Sequence, residues 1–172
     1  MRIEKTKDID ITNPIEKSNM KKHMKMVKDN FHLPFTEISR ILSSIEGSHN
    51  NPWRIVGITK NCLIRFKEND FKYKAGLGIN RSHFEHRKDT HKELMEGDLL
   101  DKDGDDWFNF WWERDKTYLA TSSENMRDNV DPEDIIPIDA PGLFRASGFG
   151  WRHSKQEQEY LRNLYERVMK DK

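Results

Sequence analysis

The 172-residue chain has one cysteine, Cys62, so it can close no internal disulfide, and a reducing, cytoplasmic setting is expected. It has no run of about eighteen apolar residues, which argues against a membrane-spanning helix. The opening MRIEKTKDIDITNP has neither an apolar centre nor a small-residue cleavage site, so no secretory leader is expected. Internal repeats and low-complexity tracts are missing too. Apolar residues are sparse at 34%, level with charged residues at 35%. That balance would favour disorder if five Trp, nine Phe and four Tyr did not supply large surfaces to bury.

Net charge is also missing, because 30 Lys and Arg face 30 Asp and Glu. The signs are unevenly placed. Residues 97 to 141 hold four Lys or Arg against thirteen Asp or Glu, and the balancing positive charge lies elsewhere. A fold that keeps these pools apart presents a basic face suited to nucleic acid or an acidic protein. Expected partners are therefore nucleic acid, a protein partner or a second copy of the chain, and no membrane.

The length fits one domain, with residues 1–13 a flexible segment and 14–172 a single globular body. Pro14 to about Lys28 reads as a helix with Ile15, Met20, Met24 and Val27 near one face. A second helix is expected over Glu37–Glu46, capped by Thr36, apolar at Ile38, Ile41, Leu42 and Ile45, and stopped by Gly47. WRIVGIT at 53–59 has the branched character of a buried strand, KNCLIRFKEND that of a short helix, and FKYKAGLGI that of a second strand. Ser82 and Glu85 match a capping box for a helix ending at Gly97. After an acidic loop, WFNFWWER reads as a short core helix and TYLATSS as a strand. A Pro-bearing connection then leads to a second capping box, Ser154 and Glu157, opening a helix that is apolar at Leu161, Leu164, Tyr165, Val168 and Met169. The expected class is α+β: a small mixed sheet of three or four strands packed with N-terminal, central and C-terminal amphipathic helices. LPFTEISRIL has the texture of the first helix of a helix-turn-helix, but a strand-like run follows where the second helix should begin.

Chemistry concentrates in GLGINRSHFEHRKDTH. Arg81, His83, His86 and Arg87 form a basic cluster, and on the expected helix His83 and His86 are neighbours on an outer edge while His91 points to the core. Two glycines before a helix start also suit an anion, although the capping box would occupy two of the free amides there. Arg81 and His86 stand in an R-x4-H spacing that resembles helical ribonuclease-type domains over six residues. The strand signals around them conflict with an all-helical domain, and no membership is assigned. In GLFRASGFGWRHSK, Arg145, Arg152, His153 and Lys155 are interleaved with Phe144, Phe149 and Trp151, a composition that suits phosphates and bases. The acidic loop sets Asp101, Asp103 and Asp105 at alternate positions. It lacks the turn glycine and closing glutamate of a calcium hand, since position 106 is Asp and position 112 is Trp.

These features give an expectation of a nucleic-acid-acting protein, in its sharpest form a small metal-dependent nuclease. His83, His86 and Arg81 would be catalytic, with a histidine as base or ligand. Arg87, Arg145, Arg152, His153 and Lys155 would contact phosphate, while Asp105 and Glu124 would hold Mg²⁺ or Mn²⁺. The alternatives are a non-catalytic DNA- or RNA-binding module and a protein-interaction or inhibitor factor.

Overall fold

The computed structural model of the chain describes residues 18, 22, 25–29, 32–48, 54–97, 104–127, 130–140, 143–144 and 154–170. The class is α+β, with helices packed on a four-stranded mixed sheet. In chain order the elements are α1 (Phe35–Ser48), β1 (Arg54–Thr59), α2 (Lys60–Glu68), β2 (Ile79–His83), α3 (Arg87–Glu96), α4 (Gly104–Arg114), β3 (Lys116–Thr121), α5 (Ser122–Arg127), β4 (Ile135–Pro137) and α6 (Lys155–Lys170). A 3-10 turn, Pro132–Asp134, precedes β4. No helix among the described residues is long and apolar enough to cross a membrane. The chain divides into two compact units, each assembled from separate stretches of sequence.

The first unit takes its described residues from Met1–Trp53 and Glu85–Lys116, and it is helical. Its core joins Val27, Ile38, Leu42, Leu94, Trp111 and Trp112, with Leu33, Ile41, Met95 and Phe110 packed around them. Ile38 and Leu42 are one helical turn apart and share the face that α1 turns to α3. Residues 25–29 are helical and Val27 is buried, as the Met-rich pattern implies, whereas Ile15, Met20 and Met24 lie outside the described residues. The first turn of α1 bonds to the Pro34 carbonyl, and the helix runs through the expected stop at Gly47. α1 is followed by a strand, so the chain departs from a helix-turn-helix.

The second unit takes its described residues from Arg54–Phe84, Thr117–Arg145 and Trp151–Lys172, and it holds the sheet in the order β2-β3-β1-β4. β2 pairs antiparallel with β3, Arg81 opposite Leu119 and His83 opposite Thr117, and β1 pairs antiparallel with β4, Gly57 opposite Pro137. β4 was hidden within the expected connection because it spans only three residues and ends in proline, which a sheet accepts at an edge. Gly57 suits this pairing, because a β-carbon there would collide with Ile135 Cγ2. α2 packs on β1 and on α6, and Leu63 and Phe66 of α2 and Leu161 and Leu164 of α6 are buried.

Two expectations are corrected. The strand read over FKYKAGLGI is a turn followed by coil, and the extended segment starts at Ile79. Asp70 and Phe71 take left-handed backbone, at φ 52° and 55°, and the Phe71 amide donates to the Phe66 carbonyl to end α2. Gly76 and Gly78, with φ of 83° and 70°, then turn the chain into β2. The second correction concerns Ser82. It belongs to β2, its hydroxyl bonds to Asn125, and Glu85 pairs with Arg114 at 2.9 Å, so the expected capping box does not form. Pairing with β3 draws residues 79–83 into the sheet and delays the helix to Arg87. Phe84, directly after β2, is 41% exposed.

Candidate functional site

The basic cluster falls on three kinds of backbone. Arg81 and His83 lie two residues apart on β2, so their side chains leave the same face of the strand, and both are half-buried. Ser82 between them points the other way, toward Asn125 of α5. His86 occupies the N-cap position of α3, and its carbonyl accepts from the Asp89 and Thr90 amides at 2.9 and 3.1 Å. His83 and His86 are therefore not helical neighbours, and the shared helix edge expected of them is absent. His91 is fully buried, as expected, with its Nδ1 2.8 Å from Ser39 Oγ.

Arg87 has a demanding partner in the first unit. Its Nε donates to Asp115 Oδ1 at 3.0 Å and its Nη2 to Oδ2 at 3.3 Å. Asp115 is 5% exposed, so this fork supplies the hydrogen bonds that a desolvated carboxylate requires. Arg114, next in sequence, pairs with Glu85 and Glu93 at 2.9 Å each and lies 3.8 Å over the Phe110 ring. Both arginines fasten the end of α4 to the first turns of α3.

Glu124 organises the polar part of the second unit. Its Oε2 accepts from the Thr59 hydroxyl at 2.8 Å, the Thr121 amide at 2.8 Å and the Thr121 hydroxyl at 2.7 Å, and its Oε1 accepts from Asn61 Nδ2 at 2.9 Å. One carboxylate thus joins the ends of β1 and β3 to the start of α2. Thr59 also caps α2 by accepting from the Cys62 amide at 3.1 Å. Partial burial opposes the charge on Glu124, but the Thr121 amide and the three side-chain donors outweigh it and hold its pKa below the ordinary glutamate value. Cys62 beside it is a buried thiol, pushed well up by burial and then by the Glu124 charge, which suits a packing role.

The remaining sequence-predicted residues are scattered. Asp105 falls in the first turn of α4, where a negative charge suits a helix start, and its side chain is outside the described residues. Lys155 is the exposed first residue of α6, and Arg145, Arg152 and His153 lie outside the described residues. Among the described residues no group of three or more His, Cys, Asp or Glu is placed to hold a metal ion.

Sequence reasoning missed a local concentration of exposed positive charge in the second unit. Lys60, Arg65, Lys67, Lys72 and Lys74 are all exposed, along α2 and the turn after it. Lys67 Nζ lies 5.6 Å from the Phe71 ring centre and 5.9 Å from that of Tyr165, while the Arg162 guanidinium lies 5.5 Å from Phe71. Asp70 accepts from Lys72 at 2.8 Å and from Arg162 at 3.3 Å. Its pKa is lowered, first by the Lys72 hydrogen bond and then by the Lys72 charge. The signal was available as a local charge count: residues 54–84 carry seven Lys or Arg against two Asp or Glu. No family model, curated protein or solved structure matches the chain.

Proposed function

We propose that this chain binds nucleic acid by its phosphates, as a binding module built on the second unit. The supporting observation is the row of exposed cations from Lys60 to Lys74, set against only Glu68 and Asp70 in the same stretch. Arg65 reaches Glu68 at 3.4 Å and Lys72 reaches Asp70 at 2.8 Å, and five exposed cations against two carboxylates give the stretch 60–74 an excess of positive charge. Such charges attract a polyanion mainly by releasing its condensed counterions, which calls for no deep pocket. Arg81 and Lys155 belong to the same unit and extend the list of contacts to test, together with Arg145, Arg152 and His153.

The catalytic form of this reading would use His83 or His86 as base and Asp105 with Glu124 as metal ligands. It draws less support. Four donors already bond to Glu124, and Arg87, expected to grip phosphate, is bonded to Asp115. The experiment that separates the two forms is titration of the full chain with labelled single- and double-stranded oligonucleotides across a salt series, with and without Mg²⁺ or Mn²⁺. Binding that weakens steeply with salt and leaves the strands intact is the expected result. Metal-dependent cleavage that His83→Ala abolishes would replace the binding module with the nuclease, and no binding at low salt would remove both.

A further inference from the structure

The start of α6 is tied to the chain that leads toward it. The Ser154 and Glu157 capping box forms as expected: Glu157 Oε2 accepts the Ser154 amide and Ser154 Oγ accepts the Glu157 amide at 3.2 Å. The box has an additional member. Glu157 Oε1 accepts the amide of Phe144 at 2.7 Å, a bond that an ordinary capping box does not contain. The two oxygens of one carboxylate, itself 5% exposed, therefore hold the residue that precedes the connection 145–153 and the residue that follows it. Phe144 has left-handed backbone, φ 56°, a conformation that a side-chain-bearing residue adopts only when its surroundings impose it. Its ring is buried and meets Tyr160 edge-on at 6.0 Å. Tyr160 Oη in turn accepts the Asp139 amide at 3.1 Å and donates to the Asp139 carboxylate. The first two turns of α6 thus hold Asp139 and Phe144 through two side chains, Glu157 and Tyr160.

We infer that Glu157 is a latch: a single buried carboxylate fastens both ends of the connection 145–153 to α6 and holds Phe144 in its left-handed conformation. Capping alone explains the Ser154 bond but leaves the Phe144 bond unexplained. The latch predicts that the two amides, ten positions apart in sequence, behave as one.

Amide hydrogen exchange on the full chain tests this directly. In Glu157→Ala the amides of Phe144 and Ser154 should both exchange at least about tenfold faster, the loss expected for one hydrogen bond each, while Leu161 and Leu164 within α6 stay protected. In Ser154→Ala, where the hydroxyl cap is lost and the carboxylate remains, Phe144 should stay slow. Should Glu157→Ala fail to fold, Glu157→Gln serves, because its one carbonyl oxygen can replace only one of the two acceptors and only one amide should remain protected. An unchanged Phe144 in Glu157→Ala or, with that variant unfolded, two amides still slow in Glu157→Gln would reduce Glu157 to an ordinary cap. Equal acceleration of Phe144 in Ser154→Ala would attribute the effect to fraying of the helix end and overturn the latch.

Discussion

The two units are held by different means. The first is closed by large apolar surfaces: Trp111 and Trp112 lie among Val27, Ile38, Leu42 and Leu94, and its buried ion pair, Arg87 with Asp115, sits where α4 ends. The second also has an apolar interior, but carboxylates join its elements, Glu124 across the ends of β1 and β3 and Glu157 across the two sides of a connection. Apolar burial depends little on pH, whereas a carboxylate whose pKa is lowered by the hydrogen bonds it accepts stabilises the fold only while it is charged. Glu124 should therefore make the joined ends of β1 and β3 acid-sensitive.

The largest expected effect tests the apolar side. Trp111→Ala should cost about 3–5 kcal/mol, measured by denaturant unfolding, and the loss should be the same at neutral and mildly acidic pH. A strongly pH-dependent loss would break the contrast. Glu124→Ala should cost about 2–3 kcal/mol at neutral pH, since Thr59, Thr121 and Asn61 lose their shared acceptor. The pH dependence has a definite sign. Because the folded pKa of Glu124 is lowered, its contribution is complete above the unfolded glutamate value and is lost as pH falls through the folded one. Glu124→Gln should accordingly flatten the stability profile in that acidic window, and a profile that parallels the wild type would exclude Glu124 as its source. The smallest effect belongs to Tyr160→Phe. Loss of the hydroxyl that bonds to Asp139 should cost about 1 kcal/mol and let the Asp139 pKa rise toward its ordinary value, which NMR titration would show.

The same contrast explains what could be read in the sequence. Apolar spacing is local, so α1, α6 and the burial of His91 followed from periodicity, while β1 and the burial of Trp111 and Trp112 followed from branched and aromatic composition. The Ser154 and Glu157 box was legible because its partners are three residues apart. Ser82 and Glu85 carry the same signature, yet pairing of Ile79–His83 with β3 overrides it. That competition between a local cap and a distant strand is invisible in a short window. β4 was missed because three residues ending in proline give no alternation to detect. On the candidate site, the Arg87 fork, the Glu124 node and the Glu157 bond to Phe144 all join residues far apart in sequence. The cationic row was different: its excess of Lys and Arg over residues 54–84 is plain in the composition, and no motif marks it.

Function rests on that row, and charge removal there tests it most directly. Neutralising Lys60, Lys67, Lys72 and Lys74 together, each to Gln, should shift the unfolding transition only slightly, because all four are exposed and the Lys67 ring contacts and the Lys72–Asp70 pair are surface interactions. Binding to a labelled oligonucleotide should weaken, and the slope of log affinity against log salt should become shallower by about one for each lysine that contacts a phosphate. Unchanged affinity and an unchanged salt slope in the quadruple variant would contradict the assignment of this surface to nucleic acid.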